Sequence, residues 1–390
     1  MKNAIENMRI HFYGVQGSGA VFPRKRERDV IRQYSDIELL KKVFTRLSEE
    51  SDDGVISLNA ILNGAPDNES LSRFRDSLDP LEAAVYGGWT TCFRIETSDG
   101  YDIVIDCGSG FRQCLEDIEQ KWGAAEQRTL YVLGTHAHFD HTEGFDQSGV
   151  CFDPRNHIHF FANRSYLMAM DRDLGLFSEQ TSRKDEGRST PLAYDMMPAS
   201  FEATEIKDMS IEVPENDLLA DHYQDIGQPF NIGKTTIQAF KVFHPDPCIA
   251  YRIEHNGKVF VFCTDHELRR GDDPLFHLQQ ESLAAEADLI EKSMNADVLY
   301  RDGQFLRDEY DAIKPLRGSN AVPRKDWGHS CIEDVVDMAV TAKVKRTYIG
   351  HHDPSRSWSE LRVFDEMLEK ESKAHNRHIE MAKAETVIDL

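Results

Sequence analysis

Short apolar runs alternate with amphipathic stretches along this chain, and the pattern predicts a layered α/β protein. Arg9–Tyr13 reads as a first strand ending in the glycine-spaced turn Gly14–Gly19. Residues 26–83 differ. They are rich in charge and carry two amphipathic stretches, Ile37–Leu47 and Leu58–Phe74, broken by the polar run 48–54. That range is predicted to be a helical insertion. Strand patterns resume at Thr91–Glu96 and Asp102–Asp106, joined by a turn at Ser98–Gly100. A helix over Arg112–Lys121 then precedes the strand Leu130–Leu133. Ile158–Phe161 reads as a strand and Ser165–Leu174 as a helix. Residues 175–228 are weakly periodic, with a polar run at 182–188, and suit a lid or loop insertion better than core. Thr235–Val242, Cys248–Glu254 and Lys258–Cys263 are predicted strands, the last two joined by the hairpin turn Asn256–Gly257. Ala287–Ala296 is mixed in character, and Val298–Tyr300 reads as a strand. Ile332–Ala342 is helical by spacing, Val344–Ile349 a strand, and Leu361–Lys373 an amphipathic helix. Two mixed sheets back to back with helices outside accommodate this order. Periodicity alone does not separate that arrangement from other α/β folds.

Composition narrows the function classes. The chain has 390 residues, is 40% hydrophobic and 29% charged, and carries a formal charge of -23. Residues 1–390 are read as a single domain with insertions. Such an acidic surface repels polyanions, so no long nucleic acid is expected as a partner. A small phosphorylated ligand remains compatible, because bound metals supply local positive charge. No segment reads as a signal peptide or a membrane span. The seven scattered cysteines form no CxxC pair and suit buried thiols in a reducing cytoplasm. Homo-oligomerisation accords with general frequencies, without a symmetry or surface to assign.

The candidate chemistry centres on THAHFDH at 135–141. His136, His138, Asp140 and His141 crowd the end of an apolar run. Imidazole and carboxylate suit zinc, manganese and iron. His136 and His138 point the same way on an extended segment, whereas Asp140 and His141 follow where the chain must turn. An open catalytic metal usually takes three protein ligands, so four in one string suggest a binuclear centre. Further ligands are expected just past other apolar runs, where open α/β sheets collect their chemistry. His244, Asp265, and either His351 or His352 fit. His157, His159, His255 and His277 are read as surface or packing residues.

These residues resemble the metallo-β-lactamase superfamily. Its HxHxDH motif stands here as HAHFDH at 136–141, with the later single His, Asp and His in family order at 244, 265 and 351. The segments GVQGSG (14–19), YGGWTTC (86–92), IDCGSG (105–110), AYRI (250–253), CTDHE (263–267), WGHS (327–330) and IGHHDP (349–354) look more narrowly like its phosphodiesterase and ribonuclease Z-like branch. The resemblance implies an αββα sandwich with two central mixed sheets. It implies two divalent ions, zinc first, with manganese or iron also accepted. His136, His138 and His244 would hold one ion, Asp140, His141 and His351 the other, and Asp265 would bridge. It also picks out His329 as a catalytic helper, beside Asp140. No glycine- and proline-rich arm of the kind that grips transfer RNA is evident.

The implied activity is cleavage of a phosphodiester, such as a cyclic nucleotide, with a metal-bridging hydroxide as nucleophile. The alternative is a thioester or lactone hydrolase of the same fold, which has no need of His329. A redox di-iron enzyme fits less well, since His138 stands where that class tends to carry a glutamate. Glu267 is expected to support a ligand histidine. Arg112, Tyr166, Arg269, Arg270 and Arg356 are candidates to meet a phosphate.

Overall fold

The first strand, β1 (Met8–Gly14), opens an architecture known here from a computed structural model describing residues 6–23, 25–51, 54–78, 86–125, 128–146, 148–177, 197–210, 219–271, 275–316 and 322–390. Three helices follow: α1 (Lys25–Glu49), α2 (Leu58–Leu62) and α3 (Asn68–Ser77). Then come β2 (Cys92–Thr97), β3 (Asp102–Ile105), α4 (Phe111–Trp122), β4 (Arg128–Gly134), β5 (Asn156–Ala162), α5 (Arg164–Leu174), β6 (Ser200–Lys207) and β7 (His222–Asp225). The second half runs β8 (Phe230–Ile232), β9 (Thr235–Val242), β10 (Cys248–His255), β11 (Lys258–Cys263), α6 (Phe276–Ser293), β12 (Val298–Asp302), α7 (Arg307–Tyr310) and α8 (Ile332–Thr341). It closes with β13 (Arg346–Gly350), α9 (Trp358–His375), β14 (His378–Met381) and β15 (Val387–Asp389).

Among the described residues one sheet runs β15-β1-β2-β3-β4-β5-β6-β7 and the other β14-β13-β12-β11-β10-β9-β8. Both are mixed. The first is antiparallel up to β3 and parallel from β3 to β7. The second is antiparallel from β8 to β11 and parallel from β11 to β14. This is the expected α/β sandwich, with two central mixed sheets flanked by helices.

Side-chain spacing explains the layers. On α4, Phe111, Cys114, Leu115 and Ile118 recur at helical spacing and are buried against Val104, Leu130, Val132, Ile158 and Phe160 of the first sheet. On α8, Met338 and Ala339 pack with Val261, Cys263 and Leu299 of the second sheet, and Val335 on the same helix is buried. Between the sheets lies an aromatic layer. Phe93 stacks its ring 4.9 Å from Phe262 and 4.4 Å from Tyr300, and Phe12 lies 5.2 Å from Tyr348.

Contact clustering separates the chain into two units, one of them Pro23–Val85 with Ser357–Ser359. Within that unit the predicted Leu58–Phe74 helix is two helices. The chain breaks at Asn63, which takes a positive φ of 50°, and at Gly64 and Pro66 beyond it. Asp67 then starts α3 with a capping box: its side chain accepts from Ser70 N at 2.8 Å while Ser70 Oγ accepts from Asp67 N at 3.1 Å. Two strands, β6 and β7, fall inside 175–228, where a lid or loop was expected. Residues 178–196 and 211–218, including the polar run 182–188, lie outside the described residues.

Candidate metal centre

Register brings the chemistry to one end of the sandwich. Ile105 of β3 pairs Leu133 of β4, so Asp106 and Thr135 leave the sheet side by side. Cys263 of β11 pairs Arg301 of β12, which pairs Ile349 of β13. Asp265, Asp302 and His351 therefore emerge together at the carboxyl end of the second sheet. Asp106, Asp265 and His351 each take a positive φ, of 56°, 44° and 54°. Such a backbone is uncommon for residues with a Cβ. Each sits where a strand ends and its side chain must turn inward.

The 136–141 string is held by a network around Asp106. Thr135 donates to this carboxylate through N and Oγ1, both at 2.8 Å. The other end of the network is His141, whose Nδ1 lies 2.7 Å from Asp106 Oδ2. That bond leaves His141 Nε2 facing the site. Asn163 caps α5 and also donates to Thr135 O at 2.8 Å. A 3-10 turn at Phe139–His141 follows His138 and brings the His141 ring to 4.2 Å from that of His136.

The donors form two adjoining groups. His136, His138, His244 and Asp265 bring ligand atoms within 4.8 Å of one another, and so do Asp140, His141 and His351. Asp265 reaches both. Its Oδ2 is 3.4 Å from His136 Nε2, 3.7 Å from His244 Nε2 and 3.3 Å from His351 Nε2, while Oδ1 is 3.3 Å from His141 Nε2. Asp140 Oδ2 lies 3.5 Å from His141 Nε2 and accepts from Ser18 N at 2.7 Å. The GVQGSG turn thus does bring a backbone donor to the centre. Gly17 allows it: a Cβ there would lie 2.6 Å from the His351 ring.

The donor set fits divalent metal. His136, His141 and His244 each present a buried Nε2 without a hydrogen-bond partner. Such atoms are costly unless something electropositive meets them. Burial lowers the His136 pKa, and the neighbouring His141 adds to this. It brings His244 to about 3 and His351 to about 4, although Asp265 opposes both shifts. These rings are neutral and have a lone pair to offer. At His141 burial acts in the same direction, but the carboxylates of Asp140, Asp265 and Asp106 outweigh it and the pKa rises. Burial would raise Asp265, yet His351, His136 and His141 hold it well below the ordinary carboxylate range.

Every residue expected as a ligand is brought to this centre. His138 is half-exposed, with Nε2 2.7 Å from Asp246 Oδ2. Of the two open choices, His351 is the one whose ring lies with Asp140 and His141. His352 points away, its Nε2 bonded to Ala382 O at 2.8 Å. His329 is also present. Its ring stacks 5.0 Å from His351, and its Nδ1 is 3.4 Å from Asp302 Oδ2 and 3.9 Å from Asp265 Oδ2.

The match to known families covers most of this architecture. The model of the beta-lactamase superfamily domain matches residues 101–352. The chain belongs to that superfamily. Its fold is similar to zinc-bound PqqB from Methylobacterium extorquens, at 13% identity, 98% of this chain, 100% of that chain and a TM-score of 0.53. It is also similar to a diphosphatase from the PhnP family, at 13% identity, 98% of each chain and a TM-score of 0.51. At such identity the likeness shows the fold. No curated protein matches the chain. Superfamily membership and the paired clusters together support a metal-dependent hydrolase with a binuclear type of site.

Other expectations need revision. Glu267 does not support a ligand histidine. It is buried and accepts from Asp326 N and Gly328 N, both at 3.1 Å, and so braces the loop that delivers His329. Gly328 in that loop has φ 84°, and a Cβ on it would meet the His244 ring at 2.2 Å. The phosphate candidates have other work. Arg356 pairs with Glu309 at 2.5 Å, Arg270 pairs with Asp334, Arg269 pairs with Asp326, and Arg112 lies 3.7 Å from Glu116. Tyr166 is buried behind the centre, its hydroxyl 3.4 Å from His141 O.

Asp106 and Asp302 were not singled out from sequence, although both stand at strand ends by the rule that found Asp265. Replacing Asp106 by Asn keeps the shape but weakens the hold on the His141 ring. Metal affinity is expected to fall by about 10–100-fold, measured by competition with a zinc chelator. An unchanged affinity would remove Asp106 from the orienting role.

Proposed function

We propose that this protein is a binuclear metal-dependent phosphodiesterase acting on a small phosphodiester, with a cyclic nucleotide the first candidate. The observation that carries the reading is His329. Its Nδ1 is buried at the metal centre, 3.4 Å from Asp302 Oδ2 and 3.9 Å from Asp265 Oδ2. A thioester or lactone hydrolase of this fold has no need of an imidazole there, whereas a phosphodiester gives it an oxygen to meet.

In this reading His136, His138 and His244 hold one ion, Asp140, His141 and His351 hold the other, and Asp265 is shared. Bound ions, zinc first and manganese or iron also accepted by this donor set, supply Lewis acidity and lower the pKa of water. Asp140 keeps one oxygen fixed on Ser18 N and turns its remaining lone pairs to orient the attacking water. His329 Nδ1 donates its proton to a phosphoryl oxygen or to the leaving oxygen. The loop braced by Glu267 keeps that nitrogen in place. The formal charge of -23 disfavours a long polyanion and limits the substrate to a small one. All seven cysteines are unpaired and buried, which suits a reducing cytoplasm.

The test is hydrolysis of bis(p-nitrophenyl) phosphate beside a thioester and a lactone, with a His136→Ala control and metal analysis. Phosphodiester turnover that disappears in the control supports the reading. Turnover of only the thioester or the lactone assigns the alternative.

A further inference from the structure

Away from the metal centre, three histidines gather around one carboxylate on the edge of the first sheet. On β5 the residues alternate, with Asn156, Ile158 and Phe160 buried toward the helices and His157 and His159 on the opposite face. The parallel neighbour β6 places Glu202 directly beside His159. The following strand, β7, begins with His222. His157 Nε2 is 3.0 Å from Glu202 Oε2, His159 Nδ1 is 3.6 Å from the same oxygen, and His222 Nε2 is 3.0 Å from Oε1. The ligand atoms of His157, His159 and Glu202 lie within 4.8 Å of one another. His159 pairs with Tyr131, five residues before His136, so the cluster stands about 15 Å from the catalytic cluster along the strands.

The opposite ring nitrogens meet hydroxyls: His157 Nδ1 lies 2.9 Å from Ser200 Oγ and His159 Nε2 2.8 Å from Thr204 Oγ1. Metal-ligating imidazoles commonly have their second nitrogen held by a hydrogen-bond partner. His157 Nε2 and His159 Nδ1 then converge on the same Glu202 oxygen. In the tautomers that place lone pairs there, both rings and the carboxylate offer donors to one divalent ion.

We propose that His157, His159 and Glu202 form a third metal site that binds a divalent first-row ion such as zinc and ties β6 to β5, with His222 of β7 3.0 Å from the second Glu202 oxygen. Nitrogen-rich ligation with one carboxylate suits zinc. The half-exposed side chains give the ion an entry path: His157 is 36% and His222 62% exposed. In sequence His157 and His159 look like surface or packing residues, and their partners Ser200 and Glu202 lie 43 and 45 residues away.

The full chain is loaded with zinc, freed of excess by gel filtration and analysed by mass spectrometry. The His157→Ala/His159→Ala double variant should hold one zinc fewer per chain than the wild type, with hydrolytic turnover unchanged. Glu202→Gln, which keeps the shape, should lose the same ion, and zinc should slow hydrogen exchange in β6 and β7 only where Glu202 is intact. Equal zinc content in wild type and both variants would overturn the proposal. Because the count does not depend on any substrate, failure here is distinct from failure of the phosphodiesterase reading.

Discussion

Asp265→Asn should strip metal from both halves of the centre and reduce hydrolysis by about 1,000-fold or more, roughly 4 kcal/mol of transition-state stabilisation. The reason is placement. Its two oxygens lie 3.3–3.7 Å from four imidazole nitrogens, those of His136, His141, His244 and His351. Asparagine keeps the volume but replaces one oxygen with an NH2 group, which cannot ligate and carries no charge. One ion then loses its donor, and both would lose the shared negative charge that lowers mutual repulsion. Variants such as His244→Ala remove a ligand from one group only, so they should retain one ion. Metal content and turnover measured on both variants decide the matter. If Asp265→Asn retains both ions at wild-type occupancy, Asp265 is not a shared ligand.

Most of this centre was legible in the sequence because its candidate ligands obey a local rule. His136–His141, His244, Asp265 and His351 each follow an apolar run by one or a few residues, and the strands place those ends together. What the sequence left open was decided by direction. His351 and His352 are adjacent, but positive φ at His351 turns it inward while His352 bonds Ala382 O. The supporting residues were harder to see. Glu267 sits in the TDHE string near Asp265, yet its partners are the Tyr310 hydroxyl and backbone donors of a loop 59 and 61 residues away.

Edge elements were missed for physical reasons. β6 reads exposed to buried along its length rather than alternating, β7 is short and largely polar, and β15 is three residues long. β15 pairs with β1 across almost the whole chain, a relation that no local pattern carries. The helix α6 begins eleven residues before the mixed stretch at Ala287–Ala296 that the sequence showed. Its buried face includes Glu286, which pairs with Arg301 at 2.6 Å and with His266 at 2.9 Å. A buried ion pair at that position interrupts the apolar period that would have revealed the helix.

His329→Ala should lower phosphodiester turnover by about 100-fold or more while both ions remain bound. His329 is not confined to one role by position alone. Asp265, His329 and His351 also bring donor atoms within 4.8 Å, so a metal-ligand role is the rival. The two roles separate in the measurement. A proton donor leaves metal occupancy intact and loses rate, most strongly for substrates with poor leaving groups, because p-nitrophenolate departs without protonation. A ligand loses metal in parallel with rate, and excess zinc restores part of the activity. Comparing kcat for an alkyl and a p-nitrophenyl phosphodiester, with metal content on the same samples, distinguishes them. Equal losses on both substrates with full occupancy would leave stabilisation of the phosphoryl oxygens, rather than protonation of the leaving group, as the work of Nδ1. No loss on either substrate would remove His329 from the reaction and with it the feature that favours a phosphodiester over a thioester or lactone.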